Sequence, residues 1–164
     1  MNNAGVSDIK LLAKRAHEDK DFMNSLFALV FGGVDVRESS NAAWALTHLP
    51  QSDNEALVAY RDQLVDVAIG TPSVTLRRLS MVLLVRIEWS ADDVRTDFLD
   101  FCLSRIMSPQ ETYGVRALAI KLAYKMCRHY PELKAELKQS LLFMEREQLG
   151  RGVLHTRNKI LKLL

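Results

Sequence analysis

Apolar and polar positions follow helical spacing along most of the chain, most clearly from Gly114 to Arg128. Leu118, Ala119, Leu122, Ala123 and Met126 fall at steps of three and four residues, on one side of a helix rich in good helix formers. The pattern recurs upstream. Ala119, Ala123 and Met126 align with Ser80, Leu84 and Ile87 at an offset of 39 residues, and these align with Ala42, Leu46 and Leu49 at an offset of 38. A repeat of that length predicts successive helical hairpins.

Read in order, the pattern predicts a first helix from Asp8 to about His17, capped by Ser7 and stapled by Val6 and Leu11. A second, about Asp21 to Phe31, ends at Gly32-Gly33, and a third, about Arg37 to Leu49, stops at Pro50. Ser52-Asp53-Asn54-Glu55 reads as a capping box opening a helix to Ile69, with Gly70 as its terminator. Thr71-Pro72 is expected to cap and open the next, which reaches about Glu88. Trp89 and Val94 flank Ser90 to Asp93 at staple spacing, which assigns Trp89 to packing on the start of a helix from Ala91 to Met107. Ser108-Pro109-Gln110-Glu111 predicts a capped start for the Gly114 stretch, and Tyr130-Pro131 its end. The last pair is expected from Glu132 to about Gln148 and from Val153 to Leu164, divided at Gly150-Arg151-Gly152. No segment alternates with strand period between turn signals, so the predicted class is all-α.

The first helices of these pairs share the period. Leu26, Leu64, Leu103 and Leu142 follow one another at 38, 39 and 39 residues, and Leu29, Val67 and Ile106 keep the same register. The architecture expected is an α-α superhelix of about four hairpins, each burying its apolar face against its neighbours. One column of the second helices holds Arg77, Arg116 and Arg157, with Ser39 in that place in the first full repeat. A helical wheel points this column to within about 20° of the centre of the apolar face. Val115-Arg116-Ala117-Leu118-Ala119 resembles the second helix of HEAT repeats, an armadillo-type family, and the looser Leu76-Arg77 and Thr156-Arg157 extend the resemblance over about residues 20–164. It implies that the arginines are structural, and buried pairing with Asp or Glu is the physical reason expected.

At 164 residues the chain suits a single domain, residues 1–164, burying roughly 70% of its unfolded surface without disulfides or metals. Nothing in Met1 to Ser7 reads as a secretory signal, and the longest apolar run, Leu26 to Phe31, is too short for a membrane span. Cys102 and Cys127 lack metal or redox spacing and read as buried, inert thiols in a reduced protein, so a cytoplasmic location is expected. Charge is uneven. Residues 1–70 carry six Lys or Arg against ten Asp or Glu, whereas residues 71–164 carry sixteen against ten.

That basic excess bears on partners. The resemblance implies that the side of each second helix opposite the core lines a concave surface. It would present Trp44, His48 and Gln51, then Val82, Arg86 and Trp89, then Lys121, Lys125 and Arg128, and finally Lys162. A surface passing from aromatic to basic suits an acidic peptide or acidic partner protein. The four histidines form no metal-ligand spacing, no phosphate-binding glycine pattern follows a strand, and no nucleophile has a general base beside it in sequence. No cofactor, metal or catalytic residue is assigned. The leading expectation is therefore a non-enzymatic interaction or scaffold module. The alternative is nucleic-acid binding, because the resemblance reaches HEAT-like glycosylases that remove alkylated DNA bases with a carboxylate and aromatic residues. Trp44 fits that pattern, but the exposed columns hold no Asp or Glu. Self-association through Leu161 and Leu164 at the apolar last helix is a third expectation.

Overall fold

The computed structural model describes residues 4–144 and 148–164. Among the described residues there are ten α-helices, two short 3-10 turns and no strand. The chain forms two compact units, Met1–Ile87 and Glu88–Leu164. The first holds α1 (Val6–Glu18), α2 (Lys20–Gly32), α3 (Val36–Thr47), α4 (Asn54–Val58), α5 (Arg61–Gly70) and α6 (Val74–Arg86). The second holds α7 (Thr96–Met107), α8 (Tyr113–Cys127), α9 (Pro131–Phe143) and α10 (Arg151–Leu161).

Hairpins α2/α3, α5/α6 and α7/α8 pack closely, and second helices stack within each unit, α3 on α6 and α8 on α10. The repeated trio lies in the core throughout. Ala42, Leu46, Leu49, Ser80, Leu84, Ile87, Ala119, Ala123 and Met126 are all buried. The first-helix column holds less well: Leu26 and Leu64 are buried and Leu103 is half-buried, but Leu142 is 52% exposed. Leu141 replaces it in the core, because the buried stripe of α9 runs through Leu137 and Leu141, one helical turn apart. In the companion column Leu29 is exposed, Val67 half-buried and Ile106 buried.

Several helix starts differ from expectation, since a cap depends on which hydroxyl or carboxylate reaches the free N–H groups. Gly5, not Ser7, precedes α1, and its N–H donates to the Asp8 carboxylate at 3.0 Å. Val6 and Leu11 both remain exposed, so the staple does not form. The single helix expected after Pro50 is divided into a turn at Gln51–Asp53, α4 and α5. Tyr60 sits at that division, its ring stacked on Phe27 with centroids 3.8 Å apart. Ser73 caps α6, accepting from the Leu76 N–H at 3.2 Å, while the Thr71 hydroxyl holds the Ser73 N–H. Thr112 caps α8, leaving Ser108-Pro109 in the loop. A turn at Ala91–Asp93 precedes α7, and Trp89, 1% exposed, stacks on Phe98 with centroids 5.9 Å apart. Helix α9 ends at Phe143, short of the expected Gln148, and residues 145–147 lie outside the described residues.

The arginine column tightens every hairpin in one way. Arg116 donates from Nε and Nη2 to the Ile106 carbonyl at 3.1 and 3.0 Å, and Arg157 from Nε to the Leu141 carbonyl at 2.7 Å. Arg77 donates to the carbonyls of Ala68 and Thr71 at 3.2 and 2.8 Å. The Ser39 hydroxyl, buried like Arg116 and Arg157, donates to the Leu29 carbonyl at 2.8 Å. Each acceptor lies in or just beyond the last turn of the first helix of its hairpin, where carbonyls have no intrahelical partner. An arginine there also meets the negative end of the helix dipole. Main-chain acceptors are what recurs in all four hairpins, and for Arg116 the Ile106 carbonyl stands where the sequence suggested a carboxylate.

Replacing Arg116 by Met leaves the Ile106 carbonyl without this donor and is expected to cost about 2 kcal/mol in urea unfolding, with lost amide protection concentrated in α7 and α8. Ser80 points the other way, because its buried hydroxyl has no hydrogen-bond partner among the described residues and it shares a column with Ala42 and Ala119. Ser80→Ala is expected to raise stability by about 1 kcal/mol in the same assay.

Candidate functional site

The face of α8 opposite its buried trio carries Lys121, Lys125 and Arg128 at steps of four and three residues. Lys121 is exposed, and the other two converge on one carboxylate. Lys125 Nζ lies 3.5 Å from Glu88 Oε1, and Arg128 Nη2 donates to Glu88 Oε2 at 3.1 Å. The Glu88 side chain is 80% exposed, so this clasp sits in solvent at the surface of the second unit. Its carboxyl is held below the ordinary glutamate value, first by the hydrogen bond from Arg128 and then by the charge of Lys125.

Arg128 also donates to the Trp89 carbonyl at 3.3 Å, and His129 Nε2 lies 2.7 Å from the same oxygen. The Tyr130 hydroxyl donates to the Ala91 carbonyl at 3.0 Å. Three successive side chains thus pin the α8–α9 turn to the loop that opens the unit. Beside that turn lies a cavity of about 470 Å³ lined by Arg128, His129, Pro131, Lys134, Lys138 and Leu164, among others. Lys162 is exposed at the C-cap of α10, Leu161 and Leu164 are half-buried, and Leu163, 50% exposed, is the more open apolar side chain at that end.

In the first unit Trp44 is half-buried and His48 exposed, their rings tilted with centroids 6.3 Å apart. Arg86 reaches this edge but is engaged. It donates to Asn54 Oδ1 at 2.8 Å, to the Pro50 carbonyl at 2.9 Å and to the Thr47 carbonyl at 3.3 Å, tying the end of α6 to the exit of α3. Burial lowers its guanidinium from the usual value, with Asp53 opposing, and an arginine so placed stays charged. Trp89, placed by the repeat register on the open face, belongs to the core.

Besides the cavity beside the α8–α9 turn, two groupings escaped the sequence pattern. Glu88 is one, although its 40-residue separation from Arg128 is close to one repeat length. The other lies in the first unit, where Lys10, Lys14, His17 and His48 line a cavity of about 370 Å³ and His17 Nδ1 bonds Asp53 Oδ2 at 2.8 Å. It was hidden because α1 stands outside the repeat register. Cys102 and Cys127 are buried; burial pushes both thiols up, Cys127 to about 12 with Glu136 adding to the effect, so neither is an activated nucleophile. Among the described residues no group of three or more His, Cys, Asp or Glu is placed to hold a metal ion.

Stacked helical hairpins whose second helices pack on one another define an α-α repeat. The chain belongs to the HEAT repeat family, since the family model described as a HEAT repeat domain matches residues 1–164. Comparison with curated proteins and with solved structures gave no match. HEAT repeats generally mediate protein interactions, and no helix of the described residues is long and apolar enough to cross a membrane.

The Glu88 clasp has a measurable signature. Its stabilisation is present above the ordinary glutamate value of 4.5 and is lost as pH falls through the lowered folded value. A carbon-detected NMR titration is expected to place Glu88 below other exposed glutamates, and Arg128→Met to return it towards them. The change in global stability is expected to be small, because the carboxylate is solvated.

Proposed function

We propose that this protein is a non-enzymatic interaction module that binds an acidic segment of a partner protein on the open face of α8, through Lys121, Lys125 and Arg128, with Lys162 extending the basic surface. The observation that supports this reading best is the Glu88 clasp, in which two cations of that face already hold a solvent-exposed carboxylate. A partner carboxylate there would meet the same donors with Lys121 added, and Glu88 would compete with it. Trp44 and His48 form a second contact surface on the first unit, where a half-buried indole beside an exposed imidazole suits a less charged part of the partner. Arg86, engaged by three acceptors, positions that edge and does not bind. Two buried free thiols accord with a reducing, cytoplasmic setting.

A fluorescein-labelled octapeptide of alternating Asp and Glu, followed by anisotropy across a salt series, tests the reading. Lys121→Ser with Lys125→Ser is expected to weaken binding about tenfold, as two exposed ion pairs warrant. Glu88→Gln is expected to strengthen it about threefold by removing the internal competitor. Unchanged affinity in both variants refutes this surface. Tighter binding to a duplex oligonucleotide than to the peptide at equal salt would favour the nucleic-acid alternative.

A further inference from the structure

The cavity beside the α8–α9 turn was not anticipated from the repeat columns, since only Arg128 of its lining belongs to them. Pro131, Lys134 and Lys138 fall at steps of three and four along α9, so they share one side of that helix, with Ala135 beside them. Glu132 and Glu136, the acidic residues of α9, are not part of the lining. Lys134 and Lys138 therefore share the lining of a space of about 470 Å³ with His129 and Arg128, and that lining includes no Asp or Glu side chain. Like charges gathered around a concave space raise the local potential more than the same charges spread over a convex face. The turn supplying Arg128 and His129 is fixed by its bonds to Trp89 and Ala91, so little ordering remains when a ligand binds. Lys134 and Lys138 engage no carboxylate among the described residues.

We propose that this pocket is a second, separate anchor for the acidic partner segment, receiving one or two Asp or Glu side chains between Lys134 and Lys138 of α9 and the pinned Arg128-His129 turn. The proposal rests on the reading of the protein as a binder of acidic protein segments. It adds that the contact runs beyond the face of α8, around the turn and onto α9. Arg128 is common to both places, since it bonds Glu88 and also lines the cavity. An acidic chain of a few extended residues is the occupant favoured, because the wall brings Arg128, Lys134 and Lys138 together, and the ring it holds, His129, is tied to the Trp89 carbonyl rather than presented for a base to stack on.

The same labelled octapeptide tests this with three paired variants: Lys134→Ser with Lys138→Ser in the pocket, Lys121→Ser with Lys125→Ser on α8, and Arg37→Ser with Arg78→Ser as a charge-matched control on exposed residues of the first unit. The pocket pair is expected to weaken binding about tenfold and the control pair less than twofold, with circular dichroism and melting temperature unchanged in both. Lys134→Arg with Lys138→Arg is expected to keep binding, and Lys134→Glu with Lys138→Glu to abolish it. Loss in the α8 pair alone overturns the pocket and leaves the interaction reading standing, whereas loss in the pocket pair alone supports the pocket and removes the α8 face. Equal loss in pocket and control pairs, or no peptide binding by the unmodified chain, overturns the proposal. So does a duplex oligonucleotide that displaces the peptide and depends on the same two lysines.

Discussion

The structure hangs on a side-chain donor placed where the carbonyls of a helix run out of intrahelical partners. A helix leaves its last carbonyls unsatisfied, and burying that end in a hairpin normally calls for a cap or water. Here the second helix of each hairpin sends one side chain back to close the first: Ser39 to Leu29, Arg77 to Ala68 and Thr71, Arg116 to Ile106, and Arg157 to Leu141. Each contact sets how far one helix slides along the other. The trios are buried in each repeat, as Ala42, Leu46 and Leu49 and then Ser80, Leu84 and Ile87 are where α3 packs on α6.

Much of this was legible in the sequence, for a physical reason. Burial imposes periodicity, and a repeat imposes the same periodicity more than once, so the trio columns and the arginine column could be read by superposition. Local terminations were less legible. Thr71, Ser73, Ser108 and Thr112 all have the chemistry of a cap, and only the course of the chain decides which hydroxyl reaches the first free N–H groups. The replacement of Leu142 by Leu141 has a similar origin, since rotating α9 by one residue keeps a leucine inward and leaves almost no trace in the pattern.

The candidate surface was readable as a set of positions and not as a set of charges. Helical spacing put Lys121, Lys125 and Arg128 on one open face, but nothing within a single helix revealed that Glu88 occupies two of them. That information lies between repeats, at a separation of about one period. The same holds for Arg86 with Thr47, and for Tyr60, whose hydroxyl donates to Asn24 one repeat earlier. Side chains one period apart are lateral neighbours here, as residues four apart are on a single helix. The pocket beside α9 escaped for a different reason, because its lysines belong to a first helix, whose outward positions the second-helix columns do not describe.

Because the acceptors of the column are main-chain oxygens, they exist whatever side chain the residue carries. The outer surfaces of α2, α5, α7 and α9 can therefore change composition without disturbing the contacts that hold each hairpin. What those helices cannot absorb is a change in length ahead of the acceptor, since one inserted residue advances every carbonyl by about 1.5 Å and turns it by about 100°. Such a chain tolerates substitution far better than insertion. New binding surfaces can be written onto the first helices of a frame whose spacing stays the same.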